Sequence, residues 1–143
     1  MDIFTSMQIG ASALKANSIR LNTISSNLAN IETTSTPEGG PYKRKSVNFQ
    51  SSPLSFQEHL DSNLQTTIQG VKVSEILEDK EPPQKVYRPE HPDADENGYV
   101  AMPNINVLKE MVDMMSTTRS YEANATTIKS AKRMAMKALE IGR

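Results

Sequence analysis

The sequence predicts a mainly α fold, in which long N- and C-terminal helices pair as a coiled-coil-like inner domain around a small irregular, β-rich insert. Three observations predict it. A heptad runs from Ile3 to Ile31, a three-and-four spacing of apolar or small residues with only Lys132 intruding follows Asn104, and all eight prolines lie between Pro37 and Pro103. The boundaries this implies are residues 1–34 for the first helix, 35–103 for the insert and 104–143 for the second helix.

In the N-terminal helix one core position is filled by Met7, Leu14, Leu21 and Leu28, and the other by Ile3, Gly10, Asn17, Ile24 and Ile31. Gly10 and Asn17 are poor core formers, so an isolated coiled coil is not expected; Asn17 fixes register at a cost in stability. The run then turns to amides and hydroxyls, Asn22 to Asn30, which weaken a helix but let neighbouring helices hydrogen-bond closely. Thr36-Pro37-Glu38-Gly39-Gly40-Pro41 ends it.

The insert has an acidic excess and the chain beyond Asn104 a basic one. Ser55-Phe56-Gln57-Glu58 has the form of a capping box, with Phe56, Leu60 and Leu64 spaced for a short helix. Gly70–Ser74 and Lys85–Tyr87 alternate like strands with Pro82-Pro83 as a turn between them, and Arg88–Pro103 returns the chain largely extended. In the C-terminal helix the stripe comprises Val107, Met111, Met114, Thr118, Tyr121, Ala125, Ile128, Ala135 and Leu139, with Lys132 intruding. With no Pro or Gly before Gly142, the helix spans roughly 36 residues, about 54 Å. A helix that long needs a partner. Pairing is expected between Met7, Leu14, Leu21, Ile24 and Leu28 on one side and Met111, Met114, Tyr121, Ala125, Ile128 and Leu139 on the other.

Composition narrows the function. A hydrophobic fraction of 36%, without Trp, implies a thin core. A net charge of −1 argues against a dedicated nucleic-acid binder, and no run approaches the ~20 apolar residues of a membrane span. Gln8, Ser12 and Lys15 interrupt what a secretory signal would keep apolar. The absence of Cys removes disulfide and thiolate chemistry. Asp93-Ala94-Asp95-Glu96-Asn97-Gly98 opens like an EF-hand calcium loop, but its twelfth position is Asn104 rather than Glu, so an acidic turn closed by Gly98 is the better reading. His59 and His91 stand apart in polar segments, and neither a nucleophile elbow nor a phosphate-binding glycine loop is present. No catalytic, metal or cofactor site and no small-molecule substrate is expected. The cations Lys129, Lys132, Arg133, Lys137 and Arg143 are spread around the helix and suit its C-terminal end, and Lys43-Arg44-Lys45 reads as an exposed run beside the turn.

Ile9 and Ile19 in the first helix, and Leu108, Val112, Met115, Met136 and Ile141 in the second, miss the stripes. A two-helix hairpin would leave them wet, and contiguous exposed apolar surface marks an interaction site. Neighbouring subunits covering these second faces are the economical solution.

Ser26-Asn27-Leu28-Ala29-Asn30 with Thr33-Thr34, then Thr36-Pro37-Glu38-Gly39-Gly40-Pro41-Tyr42-Lys43-Arg44, His91 to Val100 with Pro103-Asn104, and Arg119-Ser120-Tyr121-Glu122-Ala123-Asn124 together resemble the axial proteins of the bacterial flagellum, closest to their proximal-rod branch. Many members place Gly directly before the Tyr of the post-helix turn; here Gly-Gly-Pro-Tyr stands instead, as in that branch. The resemblance covers both ends and the return segment, and residues from about Val47 to Glu81 carry little of it. It implies a structural subunit exported without a cleaved signal through the flagellar type III apparatus and assembled helically, with copies of itself and other rod proteins, into the rod that crosses the periplasm and transmits torque. On that reading subunit contacts are expected at Ile9, Ile19, Asn27, Asn30, Leu108, Val112, Met115, Asn124, Met136 and Ile141, with no direct membrane insertion. Before assembly the monomer is expected to be partly disordered at both ends, because the absent neighbours would offset the entropy of ordering them. The alternative is a secretion chaperone or adaptor that uses the helical pair to bind one partner.

Overall fold

A computed structural model describes residues 3–53 and 69–141. Its elements in order are α1 (Ile3–Ala29), β1 (Lys45–Pro53), β2 (Gln69–Glu78), β3 (Gln84–Tyr87), β4 (Tyr99–Met102) and α2 (Val107–Ile141). Two long terminal helices thus enclose a small strand insert, as the proline distribution predicts. The short helix expected around Phe56–Leu64 lies outside the described residues.

The helices pack antiparallel: Asn27, near the end of α1, meets Glu110 at the start of α2, and Gly10 meets Ile128. Chain geometry fixes both contacts. A Cβ on Gly10 would stand 2.8 Å from Ile128 Cγ1, so only glycine permits this approach. α2 begins after the buried Pro103, with Asn106 as its N-cap: the Asn106 side-chain oxygen accepts from Lys109 N–H at 3.1 Å. At this register Ile3 stands level with roughly residue 135, and the last residues of α2, to Ile141, project about 9 Å farther.

The insert forms two separate antiparallel hairpins, β1–β2 and β3–β4. Sequence reasoning finds β2 and β3 and places the Pro82-Pro83 turn between them, but each strand pairs with a segment that shows weak alternation. β1 has apolar side chains only at Val47 and Phe49, and β4 is four residues long. The ladder shifts between Asn48 and Phe49, which pair with Glu75 and Val73, leaving Ser74 bulged with its hydroxyl donating to Asn48 C=O at 3.2 Å. The β1–β2 hairpin lies along α1: Val71 N–H donates to Ser12 Oγ at 3.1 Å, and the Arg20 guanidinium stacks 3.8 Å from the Phe49 ring centroid. The β3–β4 turn is the acidic one: Asp95 Oδ1 accepts from Asn97 N–H and Tyr99 N–H, and Gly98 has φ +78°. Thr34 Oγ1 donates to Asp93 Oδ2 at 2.7 Å and ties this turn to the end of α1.

The core is thin. Among the described residues five apolar side chains are buried (Ala16, Ile24, Val100, Ile105 and Ala131) against fifteen large apolar ones that are exposed.

Candidate functional site: the helix junction and the open face of α2

Two features concentrate the chemistry. The first is a polar knot where α1, the lead-in to β1 and α2 converge. Asn27 and Glu110 are each 1% exposed. Asn27 Nδ2 donates to Lys45 C=O at 2.8 Å and to Glu110 Oε2 at 3.1 Å, while Asn27 Oδ1 accepts from Lys45 N–H at 2.9 Å and Tyr42 OH at 3.2 Å. All four bonding capacities of the amide are used. Arg44 Nε donates to Glu110 Oε1 at 2.7 Å, so the buried carboxylate has a cation on one oxygen and an amide on the other. A buried charge survives only with such partners. The knot is a structural clamp with no vacant acid or base, and no group of three or more His, Cys, Asp or Glu side chains among the described residues is placed to hold a metal.

Sequence reasoning missed this clamp. Lys43-Arg44-Lys45 reads as an exposed run, yet Arg44 is drawn in by Glu110, 66 residues away. Glu110, in the first turn of a helix, is explained equally well by the helix dipole, so no local signal marks it as buried.

The second feature is the outer face of α2. Leu108, Val112 and Met115 follow one another at steps of four and three and are 75%, 64% and 57% exposed; Met136 and Ile141 are exposed near the far end. Of the other residues expected to meet neighbours, Ile9, Ile19, Asn30 and Asn124 are half-buried, and Asn27 is wholly engaged within the chain. Asn30 and Asn124 donate to the carbonyls of Ser26 and Ser120 in their own helices.

Of the residues expected between the helices, Ile24 is buried, and Met7, Leu14, Leu21, Leu28, Met114, Ala125 and Ile128 are half-buried. Met111, Tyr121 and Leu139 are exposed. Leu139 lies beyond the level of Ile3, and α2 is turned so that Glu110, Thr117 and Ala131 are its buried positions. Met111, Thr118 and Lys132 sit one residue along and remain outside.

Two long terminal helices joined by a polar clamp, with a strand insert and a row of unpaired apolar side chains, agree with the architecture that the resemblance to flagellar axial proteins implies. Residues 7–35 match the family model described as flagella basal body rod protein, and residues 96–141 match that of the flagellar basal body rod FlgEFG protein C-terminal region. Asn27 lies in the first match and Glu110 in the second. The chain is 48% identical to the flagellar basal-body rod protein FlgC of Bacillus subtilis, over 100% of both chains. It is 41% identical to that of Borreliella burgdorferi, covering 99% of this chain and 98% of the relative, and 42% identical to that of Salmonella typhimurium, covering 99% of each. The chain belongs to the FlgC family of flagellar basal-body rod proteins.

Proposed function

We propose that this chain is a structural, non-enzymatic subunit of the flagellar basal-body rod, built into a helical shaft that crosses the periplasm and transmits torque. The observation that carries the reading is the uncovered row Leu108, Val112 and Met115 on a helix whose opposite side is already clamped through Glu110. A monomer does not leave such a row in water without use, and neighbouring subunits supply the missing cover. In this arrangement α1 and α2, within residues 1–34 and 104–143, form the inner domain, and residues 35–103 form the outer one. Copies of this chain and other rod proteins are the partners. Delivery by the flagellar type III export apparatus accords with the family. Membership of the rod family does not favour a chaperone or adaptor role.

Leu108→Asp and Met115→Asp test the reading. Both positions are exposed, so each change alters monomer stability by less than about 1 kcal/mol, visible as an unchanged helical circular dichroism spectrum. Each is expected to abolish incorporation into basal bodies and swarming while the chain is still exported. Normal rods containing either variant would remove the basis for the assembly face.

A further inference from the structure

The chain has eight methionines and neither Cys nor Trp, so its thioether sulfurs are the groups most readily oxidised. They are unevenly placed. On α2, Met111, Met115, Met134 and Met136 are 49%, 57%, 58% and 54% exposed, whereas Met114 on the same helix is half-buried on the α1 side, and Met7 and Met102 are half-buried too. Met111 and Met115 are four residues apart, which sets them on one face with Cβ atoms about 5–6 Å from each other. Leu108 and Val112, both exposed, complete that face, while Glu110 and Thr117 on the opposite side are buried. Two of the four side chains in the uncovered patch at the start of α2 are therefore oxidisable, and both are open to solvent in the free chain. Met134 and Met136 lie about five turns or more farther along, outside the patch.

We propose that Met111 and Met115 form an oxidation-sensitive pair: a peroxide converts them to sulfoxides in the free chain, and the oxidised chain is refused by the rod until a thiol-dependent reductase restores it. This rests on the rod-subunit reading and adds a regulation of the same face. In the forward step the thioether sulfur attacks one peroxide oxygen; an S–O bond forms as the O–O bond breaks, the sulfur is oxidised by two electrons, and the other oxygen leaves as water. In the reverse step two thiols supply two electrons and become a disulfide, and the sulfoxide oxygen leaves as water. The monomer tolerates the change, because neither side chain belongs to the buried interior and the new S–O dipole is hydrated. Assembly does not tolerate it. A neighbouring subunit that covers this patch must desolvate a strong acceptor for which an apolar surface offers no donor. Once covered, the sulfurs are beyond the reach of peroxide, so the pair reports on the chain before assembly and the finished rod is insensitive.

Hydrogen peroxide is the probe. In the purified full chain, peptide mass spectrometry is expected to find Met111 and Met115 oxidised severalfold faster than Met114, with unchanged helical circular dichroism. The chain is then expressed, as its only copy, in cells lacking methionine sulfoxide reductases. Isotope-labelled chain is oxidised by a brief peroxide pulse, the peroxide is quenched, and rods are allowed to grow. Labelled chain in isolated basal bodies is expected to carry at least about tenfold less sulfoxide at Met111 and Met115 than the unassembled pool, with no such depletion at Met134 and Met136. For Met111→Leu/Met115→Leu, incorporation after peroxide divided by that chain's own incorporation without peroxide should exceed the same ratio for the parent. Restoring a reductase should raise the parent's ratio. Equal sulfoxide at Met111 and Met115 in basal bodies and pool, a Leu-variant ratio no higher than the parent's, or Met114 as reactive as Met115 would each overturn the oxidation-sensitive pair and leave the rod-subunit reading standing. Absence of labelled, unoxidised parent chain from basal bodies would overturn the rod-subunit reading and the pair with it.

Discussion

Replacing Asn27 should open the junction between the two helices and the insert. Asn27→Ala removes four hydrogen bonds at once. Two of the partners are compensated: Tyr42 OH remains 3.2 Å from Ser26 Oγ, and Glu110 keeps Arg44 on its other oxygen. Lys45 N–H and C=O are not. They point away from β2 toward α1, since it is Arg44 C=O that accepts the Asp79 N–H. Each orphaned buried group costs about 1–3 kcal/mol, with the low end applying here because a cleft of about 290 Å³, lined by Arg44, Lys45 and Glu110, admits water. Two orphaned groups, the weakened carboxylate and a helix-propensity gain of about 0.6 kcal/mol on changing to Ala leave a net loss of about 2–3 kcal/mol. With a urea slope of about 1.5 kcal/mol per M, the midpoint falls by about 1.3–2 M, read by circular dichroism at low protein concentration. Hydrogen exchange at Lys45 N–H should accelerate with it. Asn27→Asp separates bonding from volume: it keeps the shape but turns the donor into a carboxylate oxygen facing Glu110 Oε2 and Lys45 C=O, and should destabilise more than Ala does. A midpoint shift below about 0.4 M for Asn27→Ala, or an Asp variant as stable as the parent, would refute the clamp.

Other outcomes follow from the same geometry. Gly10→Ala normally gains about 1 kcal/mol in a helix interior, but with Ile128 Cγ1 2.8 Å from the new Cβ it should lose about 1 kcal/mol; in an Ile128→Ala background the sign should reverse, as urea titration of the four chains would show. Gly98→Ala forces a side chain onto a backbone at φ +78° and to within 2.9 Å of Tyr87 Cε2, so it should cost about 1–2 kcal/mol. Because Tyr87 and Tyr99 stack edge-to-face at 5.4 Å, the near-ultraviolet tyrosine signal should change while helical dichroism holds. Along the monomer, amide protection should be highest around Asn27 and Glu110 and fall toward residues 135–141, where α2 has passed Ile3. Uniform protection from end to end would contradict a helix pair anchored at the Asn27–Glu110 junction.

The helices were legible in the sequence because their signals are local: a heptad, a three-and-four apolar spacing, and no Pro or Gly until Gly142. The stretch with β character at Gly70–Ser74 was legible for the same reason, its side chains alternating at period two. β1 was not, since beyond Phe49 its residues are Gln, Ser, Ser and Pro and it is held as a strand by its pairing with β2. The Arg44–Glu110 contact was not legible either, because each residue has an adequate local explanation and only the fold brings them together.

The face that α2 presents to α1 illustrates the deeper reason. Periodicity ranks faces by apolar content and assigns the richest to the interior, which selects Met111, Thr118, Ala125 and, awkwardly, Lys132. In the structure the inner positions alternate with those one residue earlier: Glu110, Thr117, Asn124 and Ala131 are buried or half-buried, and Lys132 is freed to solvent. That face is less apolar but smaller, which suits the close approach at Gly10, and it delivers Glu110 to Asn27 and Arg44. Lys132 was therefore informative: it marks the series Met111, Thr118, Lys132 whose inner neighbours lie one residue earlier, whereas Met114, Ile128 and Ala135 of the same stripe do face inward. A monomeric enzyme would keep its most apolar face for its own core. In this rod-family chain Leu108, Met111, Val112 and Met115 lie outside, while intrachain pairing uses Ile24, half-buried side chains such as Leu14 and Ile128, small residues and the Arg44–Glu110 ion pair; on the proposed reading the uncovered row is what neighbouring chains would meet.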